Sequence, residues 1–142
     1  MKTVQQVLES KRPGTVTISP EASVYDALKL MAAKDVGAVV VTEGDRVVGI
    51  MSERDYARKV ILHDQSSKAL AVSQIMTAKV LYVGPSQTVD ACMAVMTDKR
   101  IRHLPVLDGD RLVGVVSIGD LVRATISEQD FMIKQLERYI AS

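Results

Sequence analysis

Gly44-Asp45-Arg46-Val47-Val48-Gly49, with Ser52 and Asp55 after it, returns 65 residues later as Gly109-Asp110-Arg111-Leu112-Val113-Gly114, with Ser117 and Asp120. The repeat extends without a gap, since residues 20–61 align with residues 85–126 and 14 of the 42 paired positions are identical. A repeat of this length is a supersecondary unit used twice. Because each copy has only about 50 residues and would struggle to bury a core alone, we expect the copies to pack about a pseudo-two-fold axis, with clefts between them.

Both copies show the same order of hydrophobic periods. The first has a short alternating strand, an amphipathic helix whose Ser23 and Asp26 fit a capping box, two β-rich runs joined as a hairpin, and a second helix. These segments are residues 15–18, 23–34, 38–41, 47–51 and 52 to about 62, and in the second copy 80–83, 88–99, 103–107, 112–116 and 117 to about 125. The sequence therefore predicts an α/β fold of two β-α-β-β-α repeats.

Two helices are expected outside these elements, over residues 4–11 and 128–140. We expect the first repeat over 7–63, a linker over 64–74, the second repeat over 75–126 and a C-terminal helix segment over 127–142. Ile133, Leu136 and Ile140 form an apolar stripe on that helix. The stripe fits packing against the repeats, and the alternative is a dimer contact.

Composition argues against several classes of protein. Eighteen Lys and Arg nearly balance 17 Asp and Glu. The sequence contains no stripe of basic residues of the kind that nucleic-acid-binding proteins carry. Since no apolar run approaches the roughly 20 residues that span a bilayer, and the first residues lack a signal-peptide core, we expect a soluble cytoplasmic protein without a membrane contact. The single cysteine, Cys92, excludes an internal disulfide and a Cys-rich zinc site.

Candidate chemistry lies at the junction from the last strand to the last helix of each copy. Both junctions follow the pattern Gly-apolar-apolar-Ser-x-x-Asp, which contains Ser52 and Asp55 or Ser117 and Asp120. A helix start offers positive potential and N–H groups to an anion, and an ionised carboxylate can accept both hydroxyls of a ribose. These groups together fit a nucleotide. The alternative is that Ser-x-x-Asp is only a helix start, which the recurrence of the pattern and the preceding Gly49 and Gly114 make weaker.

Three features carry a family resemblance: the hairpin, the segment Arg102-His103-Leu104-Pro105-Val106 and the two junctions. Over about residues 7–126 the chain resembles a tandem cystathionine-β-synthase (CBS) domain pair, or Bateman module. The resemblance implies a regulatory module that binds AMP, ADP, ATP, NAD or S-adenosylmethionine between its repeats. It implies that Asp55 and Asp120 hold the ribose hydroxyls and that Ser52 and Ser117 lie by the ribose or phosphate. The strand residues that it places around the adenine are Thr17, Ile18, Gly37, Ala38, Val39, Val80, Leu81, Tyr82, His103, Leu104 and Pro105.

The two copies differ at these positions. The first has Gly37-Ala38-Val39-Val40 where the second has Arg102-His103-Leu104-Pro105, and Arg54 aligns with Gly119. We therefore expect two unequal sites, with Arg54, Arg100 and Arg102 as phosphate contacts. The alternative is that these arginines form a solvated face or pair with Asp98 or Glu53.

Other residue types do not indicate catalysis. His63 and His103 have no ligand partner at metal-site spacing, no nucleophile elbow or phosphate loop is found, and Cys92 reads as core. The prediction is a non-enzymatic sensor that reversibly binds an AMP, ATP or NAD type of nucleotide, without a catalytic cofactor or a metal. We expect a homodimer and an effector protein regulated in trans. The alternative is a structural or scaffolding homodimer, with an enzyme as a third and weaker reading.

Overall fold

The computed structural model describes residues 2–11 and 14–141. Residues 1, 12, 13 and 142 lie outside the described residues, so the segments predicted over 7–63 and 127–142 are described only in part. The strands are β1 Thr17–Ile18, β2 Ala38–Glu43, β3 Arg46–Ser52, β4 His103–Asp108 and β5 Arg111–Ser117. The helices are α1 Val4–Glu9, α2 Val24–Lys34, α3 Glu53–Lys59, α4 Val72–Ile75, α5 Val89–Lys99 and α6 Ile118–Ala141, with a 3-10 turn at Ile61–His63.

Each copy is built on an antiparallel hairpin. In the first copy β2 pairs with β3, and β1 adds to β2 in parallel. In the second copy β4 pairs with β5. The hairpin turns place Gly44 and Gly109 at φ of 58° and 64°, a left-handed conformation that glycine adopts without a steric penalty. The repeated Gly-Asp-Arg signature thus fixes both turns, and the predicted α/β repeat is confirmed.

The strand predicted over residues 80–83 is much shorter than expected. Only Val83 pairs with β4, through a parallel bridge to Val106, and only its side chain is buried, at 3% exposure. Leu81 and Tyr82 are both exposed, at 44% and 61%. Two successive exposed side chains cannot belong to a strand with one buried face, because side chains alternate between the faces of a strand.

The chain after Ser117 forms one helix where two were predicted. Helix α6 has 24 residues and runs through residues 126 and 127, between the two predicted segments. Neither glycine nor proline occurs there to stop it, and a serine within a helix costs only a few tenths of a kcal/mol, roughly 0.5. The break expected between the second repeat and the C-terminal helix is therefore wrong.

Helices α1 and α4 are exchanged between the copies. The described residues form two compact units: the first unit, built on the first copy, has residues 14–81 and 110–112, and the second unit, built on the second copy, has residues 2–11, 82–109 and 113–141. Helix α1, which precedes the first copy, thus packs on the second. Helix α4, which precedes the second copy, packs on the first, so neither is the linker or outlying helix that the sequence suggested.

The two exchanged helices dock through matching hydrogen bonds. The amide N–H of Val4 donates to the carbonyl of Gln87 at 2.8 Å, and that of Val72 donates to the carbonyl of Ala22 at 2.8 Å. Each helix start is also capped in the same way: Gln6 Oε1 accepts from the Thr3 amide and Gln74 Oε1 from the Ala71 amide, at 2.9 and 2.8 Å. Residues 3–11 and 71–79 are therefore a further repeat, offset by 68 residues.

Each unit has its own hydrophobic core. One core joins Val4 and Val7 of α1 to buried residues of α5, β4, β5 and α6, and it includes Cys92. The other joins Val72 and Ile75 of α4 to residues of α2, β2 and β3. Burial raises the pKa of the Cys92 thiol, as expected for a cysteine that acts as a small core residue.

Candidate functional site

The two strand-to-helix junctions have the same backbone geometry. In the first unit the Asp55 amide donates to Ser52 Oγ at 3.2 Å, and the Ser52 amide donates back to Asp55 Oδ2 at 2.9 Å. In the second unit the corresponding distances between Ser117 and Asp120 are 3.1 and 2.8 Å. These are reciprocal capping boxes, so the helix-start interpretation of Ser-x-x-Asp is correct as far as it goes. It does not exclude a second role for the carboxylates.

A further backbone bond ties each helix start to the preceding hairpin. The Glu53 amide donates to the Gly37 carbonyl at 3.0 Å, and the Ile118 amide donates to the Arg102 carbonyl at 2.9 Å. The first and third amides of α3 and α6 are therefore engaged within the protein. As a result, Gly37 and Arg102, the residues just before β2 and β4, lie beside their junctions.

Asp55 is partnered by a lysine of its own helix. Lys59 Nζ lies 3.1 Å from Asp55 Oδ1 and donates to the carbonyl of Ile75 at 2.8 Å. The Ser52 hydroxyl also donates to Asp55 Oδ2 at 3.1 Å. The carboxylate is 14% exposed, so it retains contact with solvent.

Asp120 lies in a more buried and more cationic setting. Lys11, which follows α1, donates to Asp120 Oδ2 at 2.7 Å and to the Val115 carbonyl at 2.8 Å. Arg123 donates to Asp120 Oδ1 at 2.7 Å. Burial of this carboxylate, 6% exposed, raises its pKa, but hydrogen bonds from Lys11 and Ser117 outweigh burial and hold the pKa of Asp120 below its ordinary value.

His103 belongs to the same cluster. Burial lowers the pKa of His103, because it disfavours the charged imidazolium, while the negative charge of Asp120 acts in the opposite direction. The positive charges of Lys11 and Arg102 add to the lowering. The second unit therefore gathers His103, Arg102, Ser117 and Asp120 as predicted, and adds Lys11 and Arg123.

The remaining predicted residues fall into four groups. Ala38, Val39, Leu104 and Pro105 are buried, and of these Val39 and Leu104 belong to the hydrophobic cores of the two units. Thr17, half-buried Ile18 and half-buried Arg54 belong to the first unit. Val80 and Leu81 belong to the first unit and Tyr82 to the second, so this predicted segment is divided between the units. Asp98 lies 3.6 Å from Lys99, and Arg100 is the C-cap of α5 in the left-handed conformation.

Sequence reasoning missed three of the cations at the junctions. Arg123 and Lys59 lie three and four residues after an aspartate on a helix, a spacing that predicts an ion pair. Lys11 gave no such signal, because it is 109 residues from Asp120 and reaches it only through the exchange of α1.

The CBS domain family model matches residues 6–62 and 72–127, which is most of the chain. The chain belongs to the CBS-domain family. The CBS domain-containing protein CBSX3, mitochondrial, of Arabidopsis thaliana is 40% identical over 97% of this chain and 71% of its own. A CBS-domain protein structure from Burkholderia ambifaria has a TM-score of 0.87 at 55% identity, covering 90% of this chain and 96% of the other.

One related CBS pair was solved with ligands. The CBS domain pair of protein MJ0100, in complex with 5'-methylthioadenosine and S-adenosyl-L-methionine, has a TM-score of 0.78 at 26% identity and covers 89% of this chain and 98% of the other. CBS pairs are regulatory modules, and this relative binds two adenosine compounds. For residues 2–11 and 14–141, the structure contains no helix that is long and apolar enough to cross a membrane.

Proposed function

We propose that this CBS pair is a non-catalytic sensor that reversibly binds an adenine nucleotide of the AMP, ATP or NAD type at its Ser-x-x-Asp junctions. The observation that carries the proposal is a pair of carboxylates, the partly exposed Asp55 and the buried Asp120. Each is held at a helix start by a hydrogen bond from the amide of the motif serine. The adenosine ligands of the MJ0100 relative support the same ligand class. The effector protein would be regulated in trans through the ligand-dependent state of the module.

The hydrogen bonds at Asp120 leave room for a ribose in the proposed site. Asp120 accepts three hydrogen bonds, two on Oδ2 and one on Oδ1, out of about four that a carboxylate can accept. The side chain of Arg123 is 74% exposed and can swing away at little cost. A ribose diol would then take both positions on Oδ1, and the released guanidinium would be available to a phosphate.

A structural role is the second candidate. Both carboxylates already take part in capping boxes and ion pairs within the protein, which favours a scaffolding homodimer without a small-molecule ligand. The two functions differ in one measurable respect, which is stabilisation by nucleotide.

The test is a melting curve of the purified protein with AMP, ATP or NAD. A ligand at a hundred times its dissociation constant stabilises the fold by about 2.7 kcal/mol, which raises the melting temperature of a chain of this size by roughly 10 °C. If all three nucleotides at millimolar concentration leave the curve unmoved, the scaffolding role is the correct one.

Calorimetric titration of Asp55→Ala and Asp120→Ala then assigns the sites. Each variant is expected to lose a different binding event, with a loss of roughly tenfold to a hundredfold, because two ribose hydroxyls lose their acceptor. We expect the larger loss for Asp120→Ala. The matched control is Asp26→Ala, because Ser23 and Asp26 form the same Ser-x-x-Asp helix start on α2, away from a strand-to-helix junction. Parent-like binding by both junction variants would disprove the site.

A further inference from the structure

The C-terminal half of α6 has an apolar face without a cover in the described chain. The buried residues of this helix are Asp120, Leu121 and Ala124, all in its first two turns. Beyond them Ile126, Ile133, Leu136 and Ile140 are 60%, 53%, 60% and 82% exposed. An exposed apolar face of this length marks an interaction surface.

The spacing of this face is that of a coiled coil. Ile126, Ile133 and Ile140 recur every seven residues, which makes them a positions, and Val122, Gln129 and Leu136 then occupy the d positions. Isoleucine at a with leucine at d favours two parallel strands. A seven-residue repeat also keeps the face turned toward one partner helix along its whole length.

Charge and polarity favour a second copy of this helix in parallel. In a parallel pair identical positions meet, so Gln129 faces Gln129 of the other copy, and an amide can both donate and accept. In an antiparallel pair a positions face d positions, and the Gln129 amide would meet an isoleucine. In that antiparallel register the e positions of the two helices meet each other, so Asp130 lies beside Asp130 of the other copy as a like charge, whereas the parallel arrangement places Asp130 beside Thr125 and Glu137 beside Met132.

We propose that residues 122–140 of α6 form a parallel two-stranded coiled coil with the same segment of a second copy. The proposal deepens the expected homodimer, on which it rests, by assigning its surface to the a and d face of α6. Phe131 lies on the opposite side of the helix, at the f position, and is 63% exposed. It therefore supplies a control of equal exposure outside the interface.

Sedimentation equilibrium of the full chain tests the surface. At micromolar concentration the parent should have twice the 15.5 kDa mass of one chain. Ile133→Lys should weaken the dimer by about a hundredfold, whereas Phe131→Lys should dimerise like the parent. Far-UV circular dichroism of both variants checks that the repeats remain folded. A parent that sediments as a single chain overturns the homodimer itself, while a dimer that survives Ile133→Lys overturns only the assigned surface.

Cross-linking tests the parallel arrangement. Under mild oxidation Leu136→Cys should form a covalent dimer, because identical d positions face each other in a parallel pair and the disulfide needs close Cα atoms. Phe131→Cys should not, and the parent should not, since its Cys92 is buried. A dimeric Leu136→Cys protein that resists oxidation would show that the helices are not parallel.

Discussion

The two motif aspartates occupy equivalent positions but are neutralised by lysines of different origin. Lys59 reaches Asp55 from the next turn of the same helix, and this position is Ala124 in the second copy. Lys11 reaches Asp120 from the segment after α1. A substitution of Asp120 therefore removes a contact of the N-terminal segment. A substitution of Asp55 removes a contact of Lys59 on the same helix, and Lys59 in turn contacts only the Ile75 carbonyl outside α3 among the bonds described above. The two junctions therefore differ in structure beyond the aligned differences, and that they are two unequal nucleotide sites stays a prediction.

His103 should make stability depend on pH near neutrality. Its folded pKa lies below the ordinary 6.5 because of burial, so the unfolded chain takes up this proton first as the pH falls. The stabilising effect of the neutral imidazole is therefore complete above pH 6.5 and is lost as the pH falls toward the folded pKa. Urea denaturation across this range should show the parent losing stability and His103→Gln losing less. The control is His63→Gln on the exposed 3-10 turn, and equal slopes for the parent and His103→Gln would contradict the prediction.

At the scale of elements, the glycines of the last strands are required by the exchanged helices. A Cβ on Gly114 would lie 2.6 Å from Leu8 Cδ2, and a Cβ on Gly49 would lie 2.5 Å from Met76 Sδ. Both distances are far below van der Waals contact. The approaching groups are the side chains of Leu8, in the last turn of α1, and of Met76, which follows α4, and the sequence did not indicate either contact.

Gly114→Ala should destabilise the protein by about 1–3 kcal/mol, as is usual when a methyl group is forced into a packed core. Gly84→Ala is the matched control, because its new Cβ would meet only the Leu107 carbonyl at 3.9 Å. Chemical denaturation measures both variants. A double variant with Leu8→Ala should recover part of the loss at position 114, since the clashing methyl groups are gone. Equal stability of Gly114→Ala and Gly84→Ala would show that Leu8 yields without cost.

Much of this architecture could be predicted from the sequence. The alternating runs and the Gly-Asp-Arg turns defined both hairpins, and the Ser-x-x-Asp pattern located α3 and α6. The partners of α1 and α4 could not be found in the same way, because amphipathicity specifies an apolar face and not the surface that covers it. The matching residues Val4, Gln6 and Lys11 against Val72, Gln74 and Lys79 were the available signal, at an offset three residues longer than that of the main repeat.

At the scale of the whole molecule, each unit depends on a helix that the chain supplies from beside the other copy. Val4 and Val72 are both fully buried and occupy equivalent places in the two cores. Val4→Ala should therefore cost about 2 kcal/mol, from two lost methylene equivalents and the cavity left behind. The effect should appear in the second copy, although Val4 precedes the first.

Hydrogen exchange measured by mass spectrometry locates the loss. Val4→Ala should reduce protection in peptides from residues 83–117, and the reciprocal variant Val72→Ala should do so in residues 17–60. Loss of protection in residues 17–60 upon Val4→Ala would mean that the exchange of helices does not govern local stability.

The exchange also sets the order in which the protein can fold on the ribosome. Helix α1 is translated before the elements that cover it, because its core partners include β5, which ends at Ser117. At ordinary elongation rates α1 must wait roughly 5–20 s for that strand, while the apolar side chains of Val4 and Val7 stay uncovered. Over the same interval residues 14–81, which include α4, can already emerge from the ribosome. The first copy should therefore fold during translation, and the second should close last around a helix that was made before it.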